Sequence, residues 1–268
     1  MHVDPGQLLY AAVFAAAIAL TSSRLKFLTP GGSIAQFFLG WALLGLGGWK
    51  WAVPILVFFV SSSLMSRIAH QRKRDIEDHY AKSGSRDAGQ VLANGGVAGI
   101  LVIFNVVVPL QIWYPMSLGA IAAATADTWA TEAGILSRNP PILISTFAKV
   151  EPGTSGAVTL LGSLAGGLGA SIIALSGLIW WSGGSGALLV LALSTAGMIA
   201  SLVDSIVGAS LQSKYRCPAC VKTTEKAIHC GRSGDLIDGR RWMTNDLVNL
   251  LCTGTGAVLA FLAAELAL

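Results

Sequence analysis

This sequence is short of charge. Asp, Glu, Lys and Arg make up only 12% of its 268 residues, against ~25% in an average soluble domain. Its 18 basic and 14 acidic side chains cannot cover a soluble globule of this size. Hydrophobic residues reach 53% and the mean hydropathy is +0.65. An ordinary cytosolic enzyme and a disordered chain are thereby excluded. Cysteine is scarce as well: four residues, too few for a secreted disulfide scaffold. The ten-residue alternation of an outer-membrane barrel is absent, as are heptad arrays and low-complexity tails. The Walker A string Gly-x4-Gly-Lys-Ser/Thr occurs nowhere. No continuous basic stripe exists, so the net charge of +4 reports membrane orientation rather than nucleic-acid binding.

What the chain does have is apolar runs. They fall at about 7–22, 33–48, 51–66, 88–108, 115–136, 156–180, 186–211 and 246–266, and a helix needs about 20 apolar residues to cross the hydrocarbon core. The expectation is an all-α polytopic bundle of about eight transmembrane helices. It would be a single integral membrane domain over 1–268, with a cytoplasmic Cys-rich insert at 212–244. The second and third runs are short and meet at Gly47-Gly48-Trp49-Lys50-Trp51. They read either as two spans or as a re-entrant hairpin. The first run is a retained helix rather than a signal peptide, because Asp4 precedes it and Arg24 and Lys26 follow it.

Alternating the loops separates the charges. All basic residues except Lys50 fall in one set of loops: Arg24 and Lys26, a block from Arg67 to Arg86, Arg138 and Lys149, and a block from Lys214 to Arg241. Such asymmetry assigns those loops to the cytoplasm and both termini to the outside. Trp49, Trp51, Trp113, Tyr114, Trp180 and Trp181 fall at the opposite ends of their runs, as an interfacial belt should.

Ionisable side chains inside a span cost roughly 2.5–3.5 kcal/mol each on insertion scales, which makes them functional candidates. Asp127 and Glu132 share the fifth run and Asp204 lies in the seventh, each near the cytoplasmic end. Ala126-Asp127-Thr128 and Val203-Asp204-Ser205 echo one another. Gln90 and Asn94 open the fourth run, and Asn245, Asp246 and Asn249 open the eighth. Interhelical pairing is the plainer role for these groups, and Asp246 also suits a helix N-terminus. On one helix Asp127 and Thr131 are neighbours, whereas Asp127 and Glu132 lie about 140° apart. Asp204 from another helix would complete a hard oxygen site for Mg²⁺ with Asp127 and Glu132.

The stretch Lys149-Val150-Glu151-Pro152-Gly153-Thr154-Ser155-Gly156 precedes the sixth run. Gly153 and Gly156 let a backbone approach a ligand, and Thr154 and Ser155 add donors. Lys149 adds a point charge, and a helix N-terminus would follow immediately as an anion site. An ordinary capped turn explains the same string. Arg86 could clamp a phosphate or serve as a positive-inside arginine. Gly95, Gly99, the glycines from Gly162 to Gly169 and Gly254-Thr255-Gly256 read as helix contacts. In the insert, Cys217-Pro218-Ala219-Cys220 has metal-ligand spacing, with His229-Cys230 eight residues on. A Cys3His zinc site, free thiols and a redox pair all remain open, since adjacent His229 and Cys230 must both face one ion.

Arg86 to Gly96, Ala126-Asp127-Thr128-Trp129-Ala130-Thr131-Glu132, Gly153 to Gly156, Cys217 to Gly231 and Trp242-Met243-Thr244-Asn245-Asp246 together resemble the transmembrane-protein-19-like integral membrane family. That family includes the plant phytyl-phosphate kinase of tocopherol and phylloquinone biosynthesis. The resemblance implies phosphoryl transfer from a nucleoside triphosphate, CTP above others, to an isoprenoid monophosphate such as phytyl phosphate, as in phytol salvage. Mg²⁺ would sit with Asp127, Glu132 and Asp204 at the cytoplasmic face of an inner, plasma or thylakoid membrane. Asp127, Glu132 and Lys149 would be catalytic. Arg86, Gln90, Asn94, Thr131, Glu151, the Gly153–Gly156 loop, Asn245, Asp246 and Asn249 would bind the two substrates. An ion-coupled transporter or lipid scramblase is the competing class, and a non-catalytic assembly protein docking through its cysteine insert is a third.

Overall fold

The structure, a computed structural model, describes residues 4–73 and 84–267. The basic residues Arg74 and Lys82 lie outside the described residues. Eight helices are present among the described residues: α1 (Pro5–Arg24), α2 (Pro30–Gly47), α3 (Trp49–Lys73), α4 (Ala88–Val107), α5 (Trp113–Ile135), α6 (Leu160–Leu178), α7 (Gly186–Ser210) and α8 (Asn245–Ala267). Local chemistry sets their starts. Asp4 accepts from the Gly6 and Gln7 N–H groups ahead of α1, and Thr29 accepts from Gly32 N–H ahead of α2. Both helices place proline at the first position, where its missing N–H costs nothing. Asp87 and Gln90 form a reciprocal capping box on α4.

The bundle is built around α5, which packs against α3, α4, α6, α7 and α8. Its run from Leu118 to Ala126 is wholly buried and consists mostly of alanine, so neighbouring helices approach closely without side chains between them. A Cβ on Gly119 would strike the backbone of Gly256 on α8, and one on Gly256 would strike Gly119. The crossing therefore needs glycine on both helices. Gly162, Gly166 and Gly169 of α6 meet α5 in the same manner.

Six of the helices are long and apolar enough to cross a membrane: α1, α3 over Trp49–Ala69, α4, α6, α7 and α8 over Asn245–Ala264. α5 faces protein on most sides, so its composition is set by helix neighbours rather than by lipid. α2 runs the length of α1. At one end Gln7 Nε2 donates to the Leu44 and Gly45 carbonyls at 3.0 and 3.1 Å. At the other, the α1–α2 turn meets Arg86. α3 then returns from Trp51, against Tyr114, to Ser66, against Glu132. The second and third apolar runs thus form two helices, α2 of 18 residues and α3 of 25, of which α3 is among the candidate spans.

The two ends of the bundle differ. At one, Lys50 Nζ sits 4.1 Å above the Tyr114 ring, Trp51 meets that ring edge-on, and the Tyr114 hydroxyl donates to Gly177 O at 3.0 Å. At the other end the connections carry short strands that the all-helical expectation did not include. β1 (Ile142–Leu143) pairs antiparallel with β2 (Ala157–Val158). Between α7 and α8, β3 (Lys214–Arg216), β4 (Thr223–Thr224), β5 (Ile228–His229), β6 (Arg232–Ser233) and β7 (Asp235–Asp238) form a three-stranded sheet in the order β4-β3-β7 and a β5-β6 hairpin. Lys214 Nζ ties this insert to α7 by donating to Ala209 O at 3.1 Å and to Asp238 Oδ2 at 2.9 Å.

Candidate functional site

A polar cavity of about 260 Å³ opens at the strand-bearing end. α5 forms its back wall through Asp127, Thr128, Thr131 and Glu132. α4 and its lead-in supply Arg86, Gln90 and Asn94, α7 supplies Asp204, and the first turns of α8 supply Asn245 and Asn249. Gly153, Thr154, Ser155 and Gly156 close a further side. Three of the expected site residues are not on the wall. Lys149 and Glu151 are exposed on the β1–β2 connection, and Asp246 lies in the first turn of α8.

The two echoed acids meet. Asp127 and Asp204 lie close enough for their side chains to interact directly, and Asp204 Oδ1 is buried without a hydrogen-bond partner. Two carboxylates in contact need a proton or a cation between them. Glu132 stands apart. It is 5% exposed, accepts from Ser66 Oγ at 2.7 Å and is a charge partner of Arg86. Among the described residues the three carboxylates do not converge as one ligand set. The five-residue step places Glu132 about 140° around α5 from Asp127.

Arg86 is held by its backbone: its N–H donates to Phe27 O and its carbonyl accepts from Thr29 N–H, both at 2.9 Å. The guanidinium is aimed between Ser63 Oγ, at 3.5 Å, and Glu132. Gln90 Oε1 accepts from Asp87 N–H at 3.3 Å in the capping box, so this side chain is engaged in the helix start. The Gly153–Gly156 loop does not open a helix directly. α6 begins only at Leu160, capped by Thr159, and the intervening residues extend as β2. The loop instead leans on the end of α7. Gly153 and Gly156 adopt φ of 89° and 78°, which favours glycine, and Ser155 Oγ donates to Gln212 Oε1 at 2.7 Å.

Wall residues that escaped the sequence reading include Ser66, Gln212 and Glu225. Ser66 resembles any hydroxyl at a helix end, and Glu225 resembles a solvated insert residue. Only the fold brings Glu225 close enough to act on Asp204. An apolar groove of about 70 Å³ adjoins the cavity. It lies among Phe14, Ile18, Leu39, Ile55 and Phe59 and shares Arg86, Gln90 and Asn94 with the cavity wall.

The insert gathers Cys217, Cys220, His229 and Cys230, with their ligand atoms all within 4.8 Å of one another. The Cys217 thiol is held down at about 6 by the Cys220 N–H and the His229 side chain. Cys230 is pushed up to about 11 by its contact with Cys220. Crowded thiols cannot all ionise without a cation among them.

Residues 13–257 match the family described as Integral membrane protein DUF92. The chain is 32% identical to Protein PGR of Arabidopsis thaliana over 91% of this chain and 92% of that protein. It is 38% identical to an uncharacterised membrane protein of Methanocaldococcus jannaschii, over 74% and 80% of the two chains. It is 26% identical to Protein VTE6, chloroplastic, of Arabidopsis thaliana, over 88% of this chain and 65% of that one. No solved structure matches.

Proposed function

From the premise that this chain belongs to the DUF92 family of integral membrane proteins, we propose that it transfers a phosphoryl group from a nucleoside triphosphate, CTP by preference, to an isoprenoid monophosphate. The observation that carries this reading is the junction of a polar cavity with an apolar groove at Arg86, Gln90 and Asn94. A lipid phosphate has this shape: a charged head for the cavity and a tail for the groove and the surrounding bilayer. The motif resemblance to the transmembrane-protein-19-like family, with its phytyl-phosphate kinase, supports the same substrate class. The positive-inside asymmetry supports a cavity that faces the cytoplasm.

The Asp127–Asp204 pair suits a hard divalent cation, since one carboxylate oxygen is buried with no hydrogen-bond partner. Mg²⁺ held there would supply charge neutralisation for the triphosphate. Arg86 binds the acceptor phosphate, and Glu132 with Ser66 holds Arg86 in place. The Gly153–Gly156 loop offers N–H groups to donor phosphates, while Asn94, Asn245 and Asn249 supply neutral donors that orient without adding charge. The acceptor is a phosphate monoester whose second pKa lies near 6. It is therefore mostly ionised at neutral pH and needs no strong general base. Catalysis rests on positioning and charge stabilisation, as phosphoryl transfer requires.

The test is reconstitution into liposomes with labelled CTP, Mg²⁺ and phytyl or geranylgeranyl monophosphate. Labelled isoprenoid diphosphate is the expected product. Lipid or ion flux without diphosphate would replace the kinase reading with a carrier.

A further inference from the structure

The cysteine cluster lies outside the cavity and has no part in the proposed transfer. Its four donors come from two separate hairpins. Cys217 and Cys220 flank the turn from β3 into β4, where Val221 N–H returns to Cys217 O at 2.9 Å and Cys217 N–H to Lys222 O at 3.0 Å. His229 and Cys230 sit at the tip of β5–β6, whose register pairs His229 with Arg232. The two-residue loop between them has φ of 53° at Cys230 and 71° at Gly231. Positive φ at both central positions is the type I′ hairpin turn. That turn answers the difficulty of adjacent ligands, because the left-handed backbone at Cys230 brings its thiol to the side His229 occupies.

The distances have the right size. His229 Nδ1 lies 3.5 Å from Cys220 Sγ and 3.4 Å from Cys230 Sγ. A tetrahedral ion with Zn–S of about 2.3 Å and Zn–N of about 2.0–2.1 Å has an S···N edge of about 3.6 Å. Energetics point the same way. Within 212–244 only Tyr215, Cys217 and Met243 are buried hydrophobic residues, and β5 and β6 have two residues each. A segment with so small a core does not hold two hairpins together unaided, and metals commonly serve that purpose in very small units. Val221 and Cys230 both occupy the left-handed region, a strained conformation for these residues that persists only when surrounding structure fixes it.

We propose that Cys217, Cys220, His229 and Cys230 bind one structural zinc ion that locks the two hairpins of the insert together and so holds Gln212 and Glu225 at the cavity mouth. All four coordination positions are filled by protein, which assigns the ion to structure rather than to catalysis. The buried Cys252 on α8 donates to Ala123 O at 3.8 Å and takes no part.

The experiment uses the full chain, purified in detergent without metal-chelating resin or added zinc, and its readouts do not depend on turnover. Elemental analysis is expected to give one zinc per chain in the wild type and in Cys252→Ser, and on the order of a tenfold loss in Cys220→Ser. Exchange with Co²⁺ should give thiolate-to-cobalt charge-transfer absorption. Chelation should speed tryptic cleavage at Lys222 and Lys226 about tenfold or more. If Cys220→Ser does not fold, the wild-type zinc content and cobalt spectrum still decide. Substoichiometric zinc, iron in its place, or a disulfide that consumes two of the three insert cysteines would overturn the proposal. A kinase that is isolated without bound zinc would overturn the zinc site alone, and a zinc protein without diphosphate product would overturn only the kinase.

Discussion

The two ends of the same helices have opposite chemistry. At the Tyr114 end, Trp51, Lys50 and the Gly177 carbonyl satisfy the phenol ring and its hydroxyl. At the Asp127 end, two carboxylates touch and Glu132 is buried beside Arg86. α5 carries both conditions: a sealed alanine stretch from Leu118 to Ala126, then a half-open polar stretch from Asp127. The contrast separates residues that hold the bundle from buried polar residues whose placement costs stability, a cost the proposed ligands would offset.

Substitutions at each end sharpen that contrast. The largest effect on turnover is expected for Asp127→Asn, which removes one member of the carboxylate pair. It should lower the rate by about 10³-fold and leave thermal unfolding in detergent unchanged or raised, because a buried charge is lost. Glu132→Gln keeps the hydrogen bond from Ser66 and weakens the hold on Arg86. A loss of about 10–100-fold, carried in KM for the lipid phosphate more than in kcat, is expected from steady-state kinetics.

The opposite end should reverse the pattern. Gly119→Leu drives a side chain into Gly256 and Ala260 and should cost about 1–3 kcal/mol or more of stability, read by thermal unfolding. The fraction still folded should retain its turnover. Tyr114→Phe removes the hydroxyl bond to Gly177 and should cost about 1 kcal/mol, again with turnover kept. The smallest effect belongs to Asp238→Asn in the insert. Asp238 is more than half exposed, so its pair with Lys214 is worth about 0.2–1 kcal/mol. The Lys214 ammonium holds the Asp238 carboxyl below its ordinary value of 3.8. The contribution is therefore present at neutral pH and disappears as pH falls through that depressed value. Hydrogen exchange in β3 and β7 at pH 7 and under acid would measure it.

Much of the bundle is legible in the chain because apolar runs and caps are local. Asp4, Thr29 and Asp87 mark three helix starts, and the small-residue strings mark the crossings. The start of α6 was misplaced by four residues. Thr159 is the cap, while Gly156 serves a turn, and two-residue strands such as β2 carry no alternation to read. The site was legible in its membership more than in its pairing. Asp127 and Asp204 announce themselves by being charged inside apolar runs, and the echo around them reflects real contact. Which acid faces which depends on the rotation of α5 against α7, which no single run encodes. Ser66, Gln212 and Glu225 reach the wall only through tertiary folding and look ordinary in sequence.

The most direct measurement compares wild type with Asp127→Asn and Tyr114→Phe in one liposome assay with labelled CTP, Mg²⁺ and isoprenoid monophosphate. Diphosphate formation by wild type and Tyr114→Phe, with none above background from a folded Asp127→Asn, is the predicted result. Equal product from Asp127→Asn, or none from wild type, would contradict a phosphoryl-transfer site at the Asp127–Asp204 end.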